Sequence, residues 1–275
     1  MNAFLELPVL LINLEKDKLR KENTLSILKS LGINSTRIHT IKAIEGANLN
    51  EMNLIQNNII TPGYSSYSKL SNLNMAACGL SHNLAYKFII NENLPAALVF
   101  EDDIFLTKSI KKSTNIFNQI YHKELPKNFD ILFLERCLDN KKLQKRYSPH
   151  LFIPDAPQCS AARLISLNGA RKLLTITQPF YGPHDKMIAD SIHQHSLRAF
   201  ASNPMLFGQD GRYESNIGDY PGQQNLKKPF LSKRSPEYYC PKKHNIIYRW
   251  WKVTETKLKK IKPLKILVKK IKDLC

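Results

Sequence analysis

Three consecutive carboxylates, Glu101, Asp102 and Asp103, end the short apolar run Ala96-Ala97-Leu98-Val99-Phe100. A run this short with Val and Phe suits a strand covered on both faces of a sheet. Open α/β sheets bind their ligands at the carboxyl ends of strands, where the three acids fall. Adjacent acids repel, so a fold that gathers them supplies a counter-charge. A hard divalent cation is the commonest one, since it takes carboxylate oxygen and keeps positions open for phosphate. The alternative is a solvated acidic turn. Phe129 to Glu135 repeats the pattern of an apolar strand ending in a carboxylate, and Pro179 and Pro183 bracket a loop that delivers His184 and Asp185. Asp185 reads either as a helix cap or as a free carboxylate. In Cys78-Gly79-Leu80-Ser81-His82, a Gly inside a helix costs about 1 kcal/mol against Ala and implies close approach of another group. His82 reads as a hydrogen-bonded structural histidine or as a ligand.

The elements that position these residues follow from periodicity. Val9 to Ile12 reads as a buried strand, and Asp17 caps a helix to about Leu31 that stops at Gly32. Arg37 to Ile44 alternates as a second strand, so strand, helix and strand form a crossover unit with a parallel sheet as the default. The polar stretch to about Asn74 is too long for a bare connection and implies a flap or short helices. Helices are predicted over Met75–Asn91, Thr107–Tyr121, Leu167–Leu174 and Lys186–His195, and further strands over Ser160–Ser166 and Leu197–Ala201. Gly208 to Ser215 reads as a loop, and Lys141 to Arg146 as a solvated basic loop.

The chain has 275 residues and a net charge of +18, which points to an anionic partner. The charge is uneven: from Pro241 to Cys275 twelve Lys or Arg stand against Glu255 and Asp273. That basic tail begins with Trp250 and Trp251 and interleaves lysines with Leu and Ile, a pattern suited to an anionic membrane surface. No stacking motif or recognition helix favours nucleic acid. Residues 1–220 form the expected globular part and 221–275 the tail. The five cysteines are scattered without a C-x-x-C pair, so reduced thiols are expected, with neither a disulfide framework nor a zinc site. The amino terminus lacks a basic region before its apolar run, and no stretch approaches the roughly 20 apolar residues of a membrane span. A cytoplasmic location is expected.

Taken in order, Ile12-Asn13-Leu14 with Asp17 and Arg20, Gly79-Leu80-Ser81-His82, Leu98-Val99-Phe100-Glu101-Asp102-Asp103, Leu164-Ile165-Ser166 with Gly169-Ala170 and Leu173-Leu174, Pro183-His184-Asp185, and Gln209 with Ser215-Asn216-Ile217 resemble glycosyltransferase family 25. These are the lipopolysaccharide and lipooligosaccharide glycosyltransferases of Gram-negative bacteria. Arg163 and His184 depart from the residue types usual in that family. The resemblance implies an α/β, GT-A-type nucleotide-diphospho-sugar transferase fold, with a mixed, mostly parallel sheet flanked by helices. It also implies a nucleotide-sugar donor, most often UDP-galactose, a divalent metal, Mn2+ or Mg2+, and inverting transfer to a saccharide hydroxyl. The implied acceptor is a lipid-linked oligosaccharide on the cytoplasmic face of the inner membrane.

On that basis Asp103, with Glu101 or Asp102, would hold the metal and neutralise charge on the departing diphosphate. Asn13, Arg20, Gly79, Ser81, His82, Asp102 and Gln209 would lie at the donor, and Asp185, with Glu135 second, would take the acceptor proton. The competing functions are a nuclease or phosphohydrolase using the same carboxylates, and a non-catalytic basic membrane adaptor.

Overall fold

A computed structural model of the chain describes residues 2–67, 72–136, 144–157 and 159–210. The basic tail with Trp250 and Trp251 lies outside the described residues, as do Ser215-Asn216-Ile217 and the loop residues 141–143. Among the described residues the strands are β1 (Val9–Asn13), β2 (Ile38–Lys42), β3 (Ala96–Glu101), β4 (Ile104–Leu106), β5 (Ile131–Phe133), β6 (Lys145–Arg146), β7 (Leu151–Ile153), β8 (Ala162–Ser166), β9 (Ala199–Ser202) and β10 (Phe207–Gln209). The helices are α1 (Ala3–Glu6), α2 (Lys18–Ser30), α3 (Glu51–Gln56), α4 (Tyr64–Tyr67), α5 (Leu73–Asn91), α6 (Ile110–Gln119), α7 (Leu167–Ile176) and α8 (His184–His193).

The main sheet runs β2-β1-β3-β8-β5-β9-β7-β6. β1 pairs in parallel with β2 and β3, and β5 with β9. β8 lies antiparallel between β3 and β5. The expected α/β architecture with a mixed sheet flanked by helices is therefore what forms, with β1, β2, β3, β5 and β9 pointing one way. β1, the first five residues of β3, and β8 are buried at every position, which is why their sequences are continuous apolar runs rather than alternating ones. One face packs Leu11, Leu98, Phe100 and Leu164 against Phe4, Phe117 and Phe207. The other packs Leu10, Val99, Phe133 and Ile165 against Tyr86 and Ile89 of α5, Leu173 of α7 and Ile188 of α8.

Several local expectations are corrected. β10 forms where a loop is expected, because it pairs antiparallel with β4, a three-residue strand just past the acidic triplet. Lys145 and Arg146 are a strand on β7 rather than loop. Asp17 stands at the N-cap of α2 without a side-chain capping hydrogen bond. Cys159 is disulfide-bonded, which overturns the expectation of reduced thiols throughout.

Helix α7 docks closely on the strand beside it. Gly169 lies in its first turn, and a Cβ there would stand 2.0 Å from Asp130 O. Asp130 is fully buried and accepts from Lys172 Nζ at 2.6 Å, Asn168 Nδ2 at 2.8 Å and Arg198 N at 2.8 Å. Backbone cannot yield as a side chain can, so Gly169→Ala is expected to cost about 3 kcal/mol, at the upper end for overpacking. Thermal unfolding should show a Tm lowered by roughly 6–12 °C; an unchanged Tm would contradict this account of the helix–sheet contact.

Candidate active site

The carboxyl ends of β1 and β3, the residues after β5, the amino end of β8 and the first turn of α8 converge on one cluster of charge. Asp102 lies innermost. Its Oδ1 contacts Arg20 Nη2 at 2.6 Å, its Oδ2 accepts from Asn13 Nδ2 at 2.6 Å, and its carbonyl accepts from Thr24 Oγ1 at 2.8 Å. Both carboxylate oxygens are thus engaged by the protein, so as a metal ligand Asp102 would have to break a charged pair. Asp103 differs. Its Oδ2 lies 3.2 Å from Arg20 Nη2, while its Oδ1 is buried with no partner. Glu101 accepts from His82 through Oε1 at 2.9 Å and from Gln209 Nε2 through Oε2 at a long 3.4 Å.

Behind the triplet two imidazoles stack, His82 on His184, with centroids 5.0 Å apart and planes 12° from parallel. Arg163 Nη2 is 3.0 Å from His82 Nδ1, and Tyr86 Oη is 3.1 Å from His184 Nε2. A guanidinium has no acceptor, so Nδ1 of His82 must accept and Nε2 must carry the proton that reaches Glu101. His184 Nδ1 faces Asp185 Oδ1 at 3.6 Å. Asp185 also accepts from Cys159 N at 2.9 Å and from the Ser160 hydroxyl. Helix α8 takes Pro183 as its N-cap with no side-chain capping bond, so the capping role for Asp185 is excluded.

Electrostatics sorts these acids. Burial pushes Glu101 up to about 7, with the Asp185 charge adding and Arg163 opposing. Burial and the Glu101 charge push Asp103 up to about 8 against the pull of Arg20. Glu135 is pushed well above the carboxylate range by burial and by Glu101, Asp185 and Asp103, and its Oε2 has no partner. Asp185 goes the other way: burial works against its charge, but the His184 ring 3.6 Å away, the Ser160 hydroxyl and the charge of Arg163 outweigh it and hold it below the usual range. Burial lowers both histidines, so both are neutral.

Several residues expected at the donor have other work. Gly79 is the closest approach of Phe180 and His184 to α5: a Cβ would meet Phe180 ring carbons at 2.7 and 2.9 Å. Ser81 is buried, donating to Ala77 O and accepting from Ile44 N, so it has no free hydroxyl to offer. His82 is 1% exposed and serves Glu101 from behind. Gln209 lies at the outer edge, beside Glu101. Arg163, His184, Tyr86 and Thr24 were not identified as site residues from the sequence. The signal for Arg163 was available: a lone cation inside the apolar run Ala161 to Ile165.

Among the described residues, Cys78, His82 and Glu101 place one ligand atom each within 4.8 Å of the others. They fit a metal poorly. Arg163 keeps the proton on His82 Nε2, and burial keeps the Cys78 thiol protonated. Asp103 Oδ1 suits a hard cation better, since it is a buried acceptor lacking a partner, and Glu101 supplies a second carboxylate two positions before it. A cavity of about 510 Å3 opens at the other end of the sheet, lined by Lys127, Asn168, Arg171, Lys172 and Arg198 among others; it is basic and remote from these carboxylates.

The model for glycosyltransferase family 25 (LPS biosynthesis protein) matches residues 6–188. The chain belongs to glycosyltransferase family 25. Relatives include a Bos taurus protein named probable inactive glycosyltransferase 25 family member 3, 26% identical over 72% of this chain and 36% of its own. Procollagen galactosyltransferase 2 of Homo sapiens is 26% identical over 72% of this chain and 34% of its own length, and procollagen galactosyltransferase 1-B of Xenopus laevis 27% over 72% and 35%. The chain spans about a third of the length of these curated relatives. This family 25 chain thus shares its glycosyltransferase region with proteins named as galactosyltransferases and with one named as inactive.

Raised carboxylates make the site sensitive to pH. Between about pH 6.5 and 8.5 Glu101 and Asp103 hold protons in the folded chain that the unfolded chain has already lost, so stability falls as pH rises. Below about 6.5 the neutral, buried His82 and His184 oppose this, since the unfolded chain then binds the extra protons. Without divalent cations, Tm is expected to fall from pH 6.5 to 8.5, and Mn2+ should raise it more at 8.5 than at 6.5. A Tm indifferent to both pH and Mn2+ would remove the cation site.

Proposed function

We propose that this family 25 chain is an inverting glycosyltransferase that moves a hexose, galactose from UDP-galactose, onto a growing lipooligosaccharide or lipopolysaccharide core. The observation that carries the reading is the pairing of a buried, partnerless Asp103 Oδ1 beside Glu101 with an ionised Asp185 about the same cluster. The relatives named as galactosyltransferases support the choice of sugar, and the family's description as LPS biosynthesis protein supports the acceptor.

Asp103 and Glu101 would hold a divalent cation, Mn2+ or Mg2+, which would supply positive charge to offset that of a departing diphosphate. Arg20 and Asn13 keep Asp102 and Asp103 in register for that task. Asp185, partly exposed and ionised, takes the proton from the attacking hydroxyl, while burial pushes Glu135 toward its protonated form and leaves it the second choice of base.

The basic tail would bring the enzyme to an anionic membrane surface on the cytoplasmic side. Among the described residues no helix is long and apolar enough to cross a membrane.

Purified chain with Mn2+, a truncated lipooligosaccharide and a panel of nucleotide sugars should release UDP from UDP-galactose only when the saccharide is present. Hydrolysis of nucleic acid or of phosphate esters with no sugar transfer would favour the phosphohydrolase alternative. Asp185→Asn should lower kcat by roughly 10²–10⁴-fold, the scale of general base catalysis, and Glu135→Gln by far less, because burial pushes that carboxyl toward its neutral form. Equal losses would show that the base is misassigned. Removal of 241–275 should release the protein from anionic vesicles and spare transfer to a soluble acceptor; unchanged vesicle binding would refute the role of the tail.

A further inference from the structure

Arg163 heads the fully buried side chains of the described residues by size, with 0% exposure. It stands mid-sheet, paired across to Val99 on one side and Phe133 on the other. Burying a guanidinium there costs several kcal/mol of hydration that an apolar residue would not lose. Its Nε and Nη1 make no hydrogen bond, and its charge acts on Glu101, Glu135 and Asp185 without touching them. Its Nη2 has one partner, His82 Nδ1, and that contact has only one possible direction.

We propose that Arg163 is a positioning residue that locks His82 in the tautomer protonated on Nε2, and so aims Glu101 at the cation. The proposal rests on the transferase reading only for the identity of what Glu101 holds. A neutral imidazole with its proton on Nδ1 would turn a lone pair toward Glu101 Oε1 at 2.9 Å, placing acceptor against acceptor. Glu101 would then swing away or the ring would turn. With Arg163 in place only the Nε2–H form satisfies both neighbours. Glu101 Oε1 is pinned from behind, and Oε2, held loosely by Gln209 at 3.4 Å, is left to face the cation beside Asp103 Oδ1. His184 stacks on His82 and meets the Tyr86 hydroxyl through Nε2 at 3.1 Å, so the His82 ring is held across its face as well as at its edges.

The test uses the full chain with nitrogen-15 histidine, the His82 signals being identified by their absence from His82→Asn. In the wild type, NMR should show a neutral His82 with the proton on Nε2. Arg163→Met, similar in length but without donors, should shift His82 toward the Nδ1–H form and weaken Mn2+ binding, read by electron paramagnetic resonance of free Mn2+, by about 10–100-fold, the usual effect of removing a partner behind a metal ligand. Arg163→Lys, a cation that can only donate, should keep the Nε2–H form and restore most of the affinity. A wild-type His82 protonated on Nδ1 overturns the proposal, as does a folded Arg163→Met protein that binds Mn2+ like the wild type. If Arg163→Met fails to fold, the wild-type tautomer and Arg163→Lys decide the matter: a lysine variant with the Nδ1–H form refutes it. The transferase reading fails separately, when wild-type chain with the assigned tautomer and intact Mn2+ binding transfers no sugar.

Discussion

Glu101, Asp102 and Asp103 can share one buried strand end because two guanidiniums flank them. Arg20 reaches Asp102 and Asp103 from α2, and Arg163 reaches Glu101 through His82 from the neighbouring strand. Each cation answers a different part of the repulsion. Arg20 with Asp102 is a buried ion pair closed by Asn13, the kind of pair whose disruption leaves an uncompensated charge and costs about 3–5 kcal/mol. Arg163 does not touch a carboxylate in this way; an imidazole carries its influence. The triplet is therefore divided, with Asp102 anchored in the protein and Asp103 and Glu101 left with oxygens to give away.

The same division separates the two remaining acids. Glu135 and Asp185 both lie near the triplet, yet only Asp185 has donors trained on it, from Ser160 and the backbone of Cys159. Burial without donors keeps a carboxyl neutral, and burial with donors keeps it charged.

Much of the framework was legible in the residues. The continuous apolar runs at Val9, Ala96 and Ala162 announced covered strands, and the acids after Phe100 announced a charged strand end, because burial and repulsion act locally on sequence. The tight docking at Gly79 was legible too, although the group that approaches proved to be the chain's own Phe180 and His184. Strand direction was not legible. An apolar run reads the same in either sense, so nothing local showed that β8 would insert antiparallel between β3 and β5. The pairing of β10 with β4 was hidden for the same reason, since Phe207-Gly208-Gln209 reads as a loop until a partner strand is beside it.

By itself the sequence determined that this chain is an α/β protein of family 25 with an acid triplet at a strand end, since those properties belong to runs and spacings along the chain. Tertiary structure alone decided the role of each acid. His82 and Arg163 are 81 positions apart, and so are not neighbours in any motif. Their contact fixes where one proton sits, and proton position depends on which groups are adjacent in space rather than in sequence. The same holds for Glu135 and Asp185: as residues they have similar intrinsic acidity, and the donors the fold aims at each push one toward its neutral form and the other toward its charged form.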